Sequence, residues 1–158
     1  MKKIKILIPI YNDWQSVFKL LENIDNEISS LEAEFSVVIV NDASTEAKPE
    51  IQLNLNNIRT VQVINMKENK GHARCNAAGL KHIFEKEEFD YLIPMDGDGE
   101  DRPEEIKEFI NNLNHHPNKP IVGERIKRSE GIFFKFCYFA HKAITFTFTG
   151  QSIKYGNY

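Results

Sequence analysis

Ile4-Lys5-Ile6-Leu7-Ile8-Pro9-Ile10-Tyr11-Asn12-Asp13 is an almost unbroken aliphatic run that stops at a polar turn. A strand with one wet face alternates apolar and polar residues. A run that is apolar at nearly every position instead suits a strand covered by helices on both faces of a parallel sheet. Asp13 is placed to cap a helix, and Val17, Leu20, Leu21, Ile24, Ile28 and Leu31 then recur at helical spacing. The alternation continues outward. Residues 35–40 read as a second buried strand, 41–45 as a polar turn, 50–55 as a weak helical stretch and 60–66 as a third strand. An Ala-rich helix follows Asn69-Lys70-Gly71 and runs to about residue 86, and residues 91–95 form a fourth strand. Pro103 suits the first position of a helix whose buried face is Ile106, Phe109, Ile110 and Leu113, and residues 120–123 read as a fifth strand. This order predicts an α/β fold, with a single open, mostly parallel sheet flanked by helices. In such sheets ligands bind beyond the carboxyl ends of the strands, so the polar residues that follow each strand are the candidate site.

Composition narrows the classes. A chain of 158 residues suits one globular core. Twenty Lys+Arg against 23 Asp+Glu give a net charge of -3, which excludes a global basic field for nucleic acid. Cys75 and Cys137 lie far apart without metal-ligand spacing and read as reduced thiols. The apolar run near the N-terminus is too short for a signal peptide, and no stretch approaches the ~18 apolar residues of a spanning helix. The expected location is cytoplasmic.

Asp96-Gly97-Asp98-Gly99-Glu100-Asp101 packs four carboxylates into one loop directly after a buried strand. Such crowding is costly unless a cation shares it, and hard oxygens suit Mg²⁺ or Mn²⁺ with a substrate phosphate completing the shell. An EF-hand fails, because its required glycine falls on Asp101 and its bidentate glutamate on Lys107. A solvated acidic turn capping the next helix is the alternative. Gly-x-Gly-x-x-Gly is missing, which excludes a Rossmann dehydrogenase.

Taken in order, Ile8-Pro9-Ile10-Tyr11-Asn12-Asp13, Val40-Asn41-Asp42-Ala43-Ser44-Thr45, Asn69-Lys70-Gly71-His72 and Met95-Asp96-Gly97-Asp98-Gly99-Glu100-Asp101-Arg102-Pro103-Glu104 resemble the family 2 glycosyltransferases of the GT-A fold. Gly123-Glu124-Arg125, Arg128 and Phe133-Phe134-Lys135 are most similar to the polyprenyl-phosphate sugar transferases within that family. The resemblance implies a sugar moving from a UDP- or GDP-linked donor to a lipid phosphate or a glycan, with inversion and a divalent cation. It places Pro9, Tyr11 and Asp13 around the nucleoside, although Asp13 stands where the family usually has Glu and can equally be a helix cap. Asp42 would accept a hydrogen bond from the base, or close an ordinary turn; Ala43 replaces the usual glycine beside it.

The same resemblance puts Asp96 near the ribose, makes Asp98 the metal ligand and catalytic carboxylate, and lets Glu100 give the cation a further oxygen. Gly71 would admit the donor close to the backbone, while His72 and Arg74 read either as site residues or as a helix-start hydrogen bonder and a solvated side chain. Arg125, in a catalytic role, and Arg128 would grip phosphate oxygens. A lipid phosphate is already ionised and needs no strong general base to attack. Alternatives are a cell-surface polysaccharide transferase acting on a sugar hydroxyl, and a domain that binds nucleotide sugar without transfer.

Two regions are expected: residues 1–125 as the nucleotide-sugar-binding domain, and 126–158 as the start of an acceptor and membrane-proximal region. Phe133, Phe134, Lys135, Phe136, Tyr138, Phe139, His141 and Lys142 make a basic aromatic stretch. It could lie in a bilayer interface at the inner face of the membrane, pack on the sheet, or pack on further sequence. Relatives continue past Tyr158, so a C-terminally truncated chain is expected, and an exposed aromatic patch would favour self-association into a homo-oligomer.

Overall fold

The computed structural model describes residues 1–116, 119–123, 139 and 147. The chain divides into two compact units, Met1–Ile121 and Val122–Tyr158. In the first, β1 (Lys2–Ile10), α1 (Trp14–Glu27), β2 (Ala33–Asn41), β3 (Ile58–Asn65), α2 (His72–Lys86), β4 (Tyr91–Pro94) and α3 (Ile106–His115) follow one another. Among the described residues the strands form one parallel sheet in the order β3-β2-β1-β4. The expected α/β architecture is therefore present.

Side-chain alternation along the strands makes two cores. Ile4, Ile6, Ile8 and Ile10 of β1, with Phe35, Val37 and Ile39 of β2, pack against Val17, Leu21 and Ile24 of α1 and Ile106, Ile110 and Leu113 of α3. Leu7, Val38 and Val40 point the other way, onto Cys75 and Ile83 of α2. Burial on both faces is what the continuous aliphatic run requires. Helix α2 comes close because Gly79 faces the sheet, where a Cβ would lie 2.5 Å from Leu7 Cδ1 and 2.7 Å from Val40 Cγ2.

Several sequence expectations are corrected. Residues 120–123 form no strand; Pro120 lacks a ladder donor and Val122 is exposed, so little offsets the cost of ordering them. Residues 50–55 form no helix, because Leu53 and Leu55 reach the core as an alternating pair and Ile51 stays exposed. Leu31 falls outside α1, which gives way to a 3₁₀ turn over Ile28–Ser30. Pro103 opens a 3₁₀ turn, Pro103–Glu105, rather than α3 itself. No helix among the described residues is long and apolar enough to cross a membrane.

Candidate nucleotide-sugar site

All four strands point their carboxyl ends the same way, so the turns after β1, β2 and β4 and the approach to α2 share one edge of the sheet. Hydrogen bonds stitch these turns together. The Asp42 N–H donates to the Ile10 carbonyl at 2.9 Å, Met66 N–H to the Asn41 carbonyl at 2.9 Å, and Met95 N–H to the Leu7 carbonyl at 2.9 Å.

Asp42 is buried at 3% exposure, and its two carboxylate oxygens accept the backbone N–H groups of Lys70 and Gly71, each at 2.8 Å. Asp42 thereby spans from the end of β2 to the residues that launch α2. Gly71 sits at φ +81°, a conformation that suits glycine, with nothing within 4 Å of where a Cβ would be. Cys75, one turn into α2, is fully buried, and its Sγ–H donates to the Val40 carbonyl at 3.3 Å. Burial, with the Asp42 charge adding, pushes its thiol up to about 11, so it stays protonated and packs as an apolar group.

The acidic loop is seated by Gly97. A Cβ there would lie 3.0 Å from the Pro9 carbonyl oxygen, 3.0 Å from Val17 Cγ2 and 3.1 Å from Ile10 Cγ2, so the loop abuts β1 and α1. With Gly97 buried, Asp96 and Asp98 stand exposed on either side of it. The loop binds itself internally. Asp96 N–H donates to Asp101 Oδ2 at 2.8 Å, and Glu100 N–H to Asp98 Oδ1 at 2.9 Å. His72 reaches across from α2, placing Nε2 3.5 Å from Asp96 Oδ1 and 2.9 Å from the Asn76 amide nitrogen. Asn76 Oδ1 is buried without a protein partner, and an amide turned end for end would accept from a protonated ring nitrogen instead.

The structure thus places Tyr11, Asp13, Asp42, Asp96, Asp98 and Glu100 in the turns after β1, β2 and β4, with Pro9 next to the end of β1 and Gly71 at the start of α2. Asp13 caps α1 by accepting from Ser16 N–H at 3.4 Å, Tyr11 is 48% exposed and Pro9 is buried. Among the described residues no three Asp, Glu, His or Cys side chains converge closely enough to hold a metal ion by themselves. Arg125 and Arg128 lie outside the described residues, as does the aromatic stretch apart from the exposed Phe139.

Sequence reasoning passed over Asn12. Its φ is +56°, and its side chain bonds to the turn after β2, with Oδ1 accepting from Thr45 N–H at 2.8 Å and Glu46 N–H at 3.1 Å. An Asn directly after a buried strand was the available signal, since Asn tolerates the left-handed region better than most residues.

Residues 5–157 match the model of the family described as glycosyl transferase family 2. The chain belongs to glycosyl transferase family 2. Undecaprenyl-phosphate 4-deoxy-4-formamido-L-arabinose transferase of Proteus mirabilis (strain HI4320) is 26% identical over 135 residues, which are 85% of this chain and 40% of that protein. Among solved structures, S. aureus TarS 1-349 in complex with UDP-GlcNAc matches with a TM-score of 0.56 at 22% identity, covering 80% of this chain and 37% of that one. The mannosyltransferase PcManGT from Pyrobaculum calidifontis, in complex with GDP-Man and Mn2+, matches at 0.52 and 22% identity over 80% and 36%. The fold of this family 2 member is therefore of the GT-A type, and the chain spans about two fifths of its curated relative's length.

Proposed function

We propose that this family 2 member transfers a sugar from a nucleotide diphosphate donor to a polyprenyl phosphate, inverting the configuration of the sugar carbon. The observation that carries the reading is the seating of Gly97 against Pro9, which leaves Asp96 and Asp98 exposed together at the sheet edge beside the Asp42-held start of α2. The Proteus mirabilis relative, named for undecaprenyl phosphate, supports the choice of acceptor.

In this reading Pro9, Tyr11 and Asp13 line the nucleoside. Asp42 keeps an unused lone pair on each oxygen for the base while its N–H partners fix the backbone of Gly71 for close approach of the donor. Asp96 faces the ribose. Two exposed carboxylates on one loop, Asp98 and Glu100, are hard oxygen donors that would hold Mg²⁺ or Mn²⁺. When bound, that ion neutralises charge on the departing diphosphate. Arg125 and Arg128 supply planar forks for phosphate oxygens. The acceptor phosphate oxygen, already anionic, forms the new bond to the sugar carbon as the bond to the nucleoside diphosphate breaks, and no proton has to be removed. Residues 1–125 are assigned to the donor and 126–158 to the acceptor side, at the inner face of the membrane.

Transfer assays with UDP- and GDP-linked sugars, comparing a polyprenyl phosphate with a saccharide acceptor, test the proposal. Product is expected on the lipid phosphate only, falling on the order of a hundredfold or more in Asp98→Ala. Transfer to the saccharide alone would overturn the acceptor. Turnover unchanged in Asp98→Ala would overturn the site.

A further inference from the structure

Among the described residues only Asn12 and Ala43 combine a side chain larger than glycine's with a positive φ, both at +56°. They sit in the turns after β1 and β2, and a network of bonds joins those turns. The Asn12 N–H donates to Ser44 Oγ at 2.9 Å, its Oδ1 accepts from Thr45 and Glu46 N–H, and its Nδ2 donates to Thr45 Oγ1 at 3.0 Å. Trp14 Nε1–H donates to the Glu46 carbonyl at 3.3 Å, and Ser44 N–H to Asn41 Oδ1 at 2.9 Å. With the Asp42 N–H on the Ile10 carbonyl at 2.9 Å, residues 41–46 are anchored at both ends to residues 10–14. Left-handed conformations outside glycine persist where their surroundings over-determine them, and such positions cluster at ligand-binding sites.

We infer that Asn12 is a positioning residue for nucleoside binding. Its amide latches the turn after β2 to the turn after β1, so that Tyr11 and Asp42, one on each turn, keep a fixed separation. The inference builds on the nucleotide-sugar reading above and adds to it a residue that need not touch the donor. Asn12 suits the task because one side-chain oxygen accepts from two backbone N–H groups, while its backbone tolerates the left-handed region.

Asn12→Gly is the informative variant, since glycine keeps the backbone conformation and deletes only the side-chain links. In the 158-residue chain without ligand, hydrogen exchange at the Thr45 and Glu46 amides is expected to speed up at least tenfold in Asn12→Gly. Calorimetry with UDP and GDP in Mn²⁺ is expected to show affinity at least tenfold weaker. Asn12→Asp, which keeps an acceptor for both amides, is expected to restore protection and affinity to within about threefold of the parent. Faster exchange with unchanged nucleotide affinity would overturn the inference alone, as would an Asn12→Asp as impaired as Asn12→Gly. Unchanged exchange in Asn12→Gly would overturn the latch itself. A parent chain that takes up neither nucleotide would overturn the nucleotide-sugar reading, and this inference with it.

Discussion

Asp25 is a carboxylate with 4% exposure inside α1, and its oxygens accept the N–H groups of Asn56, Asn57 and Ile58 at 2.7–3.0 Å. Burial alone would raise its pKa, but the backbone donors of Asn56, Ile58 and Asn57 together hold it below the ordinary carboxylate value. A lowered folded pKa contributes stability that is complete above about pH 4, the unfolded value, and is lost as pH falls through the folded one. Asp25→Asn turns an acceptor into a donor facing these N–H groups and is expected to cost about 2–4 kcal/mol at pH 7. Denaturant unfolding should show this gap narrowing below about pH 4; a gap independent of pH would contradict the account. Ala43, at φ +56°, offers the opposite change. Ala43→Gly relieves the steric cost of the left-handed region, less glycine's larger unfolded-state entropy, and is expected to stabilise the fold by up to about 1 kcal/mol, read as a higher melting temperature.

At the scale of elements, the acidic loop follows β4 and is seated on β1 and α1 through Gly97. Gly97 fills a space bounded by the Pro9 carbonyl oxygen, Ile10 and Val17, so Gly97→Ala must push the loop off β1 and α1. A cost of about 1–3 kcal/mol is expected from overpacking, and donor affinity should fall along with stability. Equal stability and affinity in Gly97→Ala would show that the loop is loosely held. β1 and β2 were readable from aliphatic runs buried on both faces, α1 from its helical apolar spacing and α2 from its Ala-rich composition after Gly71. The segment at 50–55 was not, since its two core contacts, Leu53 and Leu55, are made possible by the hold of Asp25 on residues 56–58, a tertiary contact 31 or more residues away. Pro103 stands at a helical start as its sequence position indicated, but the turn it opens is 3₁₀, and α3 begins at the buried Ile106.

For the whole molecule, a ligand that binds only the folded state stabilises it by mass action. Under the proposed function, UDP or GDP with Mn²⁺ at a hundredfold excess over Kd adds about 2.7 kcal/mol. The melting temperature is therefore expected to rise with nucleotide and Mn²⁺ together and to fall back after chelation. An identical rise without the ion would separate nucleotide binding from the carboxylates of the loop after β4. The measurement reads the joint state of the strand exits, because the bonds from Asp42 and Asn12 couple them and His72 lies 3.5 Å from Asp96.

From residue order alone came the alternation of strands and helices, the buried character of the sheet and the placement of Asp42, Asp96 and Asp98 after strands, since periodicity and turn chemistry are local properties of the chain. Tertiary structure alone decided that Asp42 spends two acceptor sites on Lys70 and Gly71, that Gly97 is small because Pro9 lies against it, and that Asn12 ties two turns 33 residues apart. These are long-range contacts. Their partners are brought together by the parallel order of the sheet, and no window of sequence contains both ends of any of them.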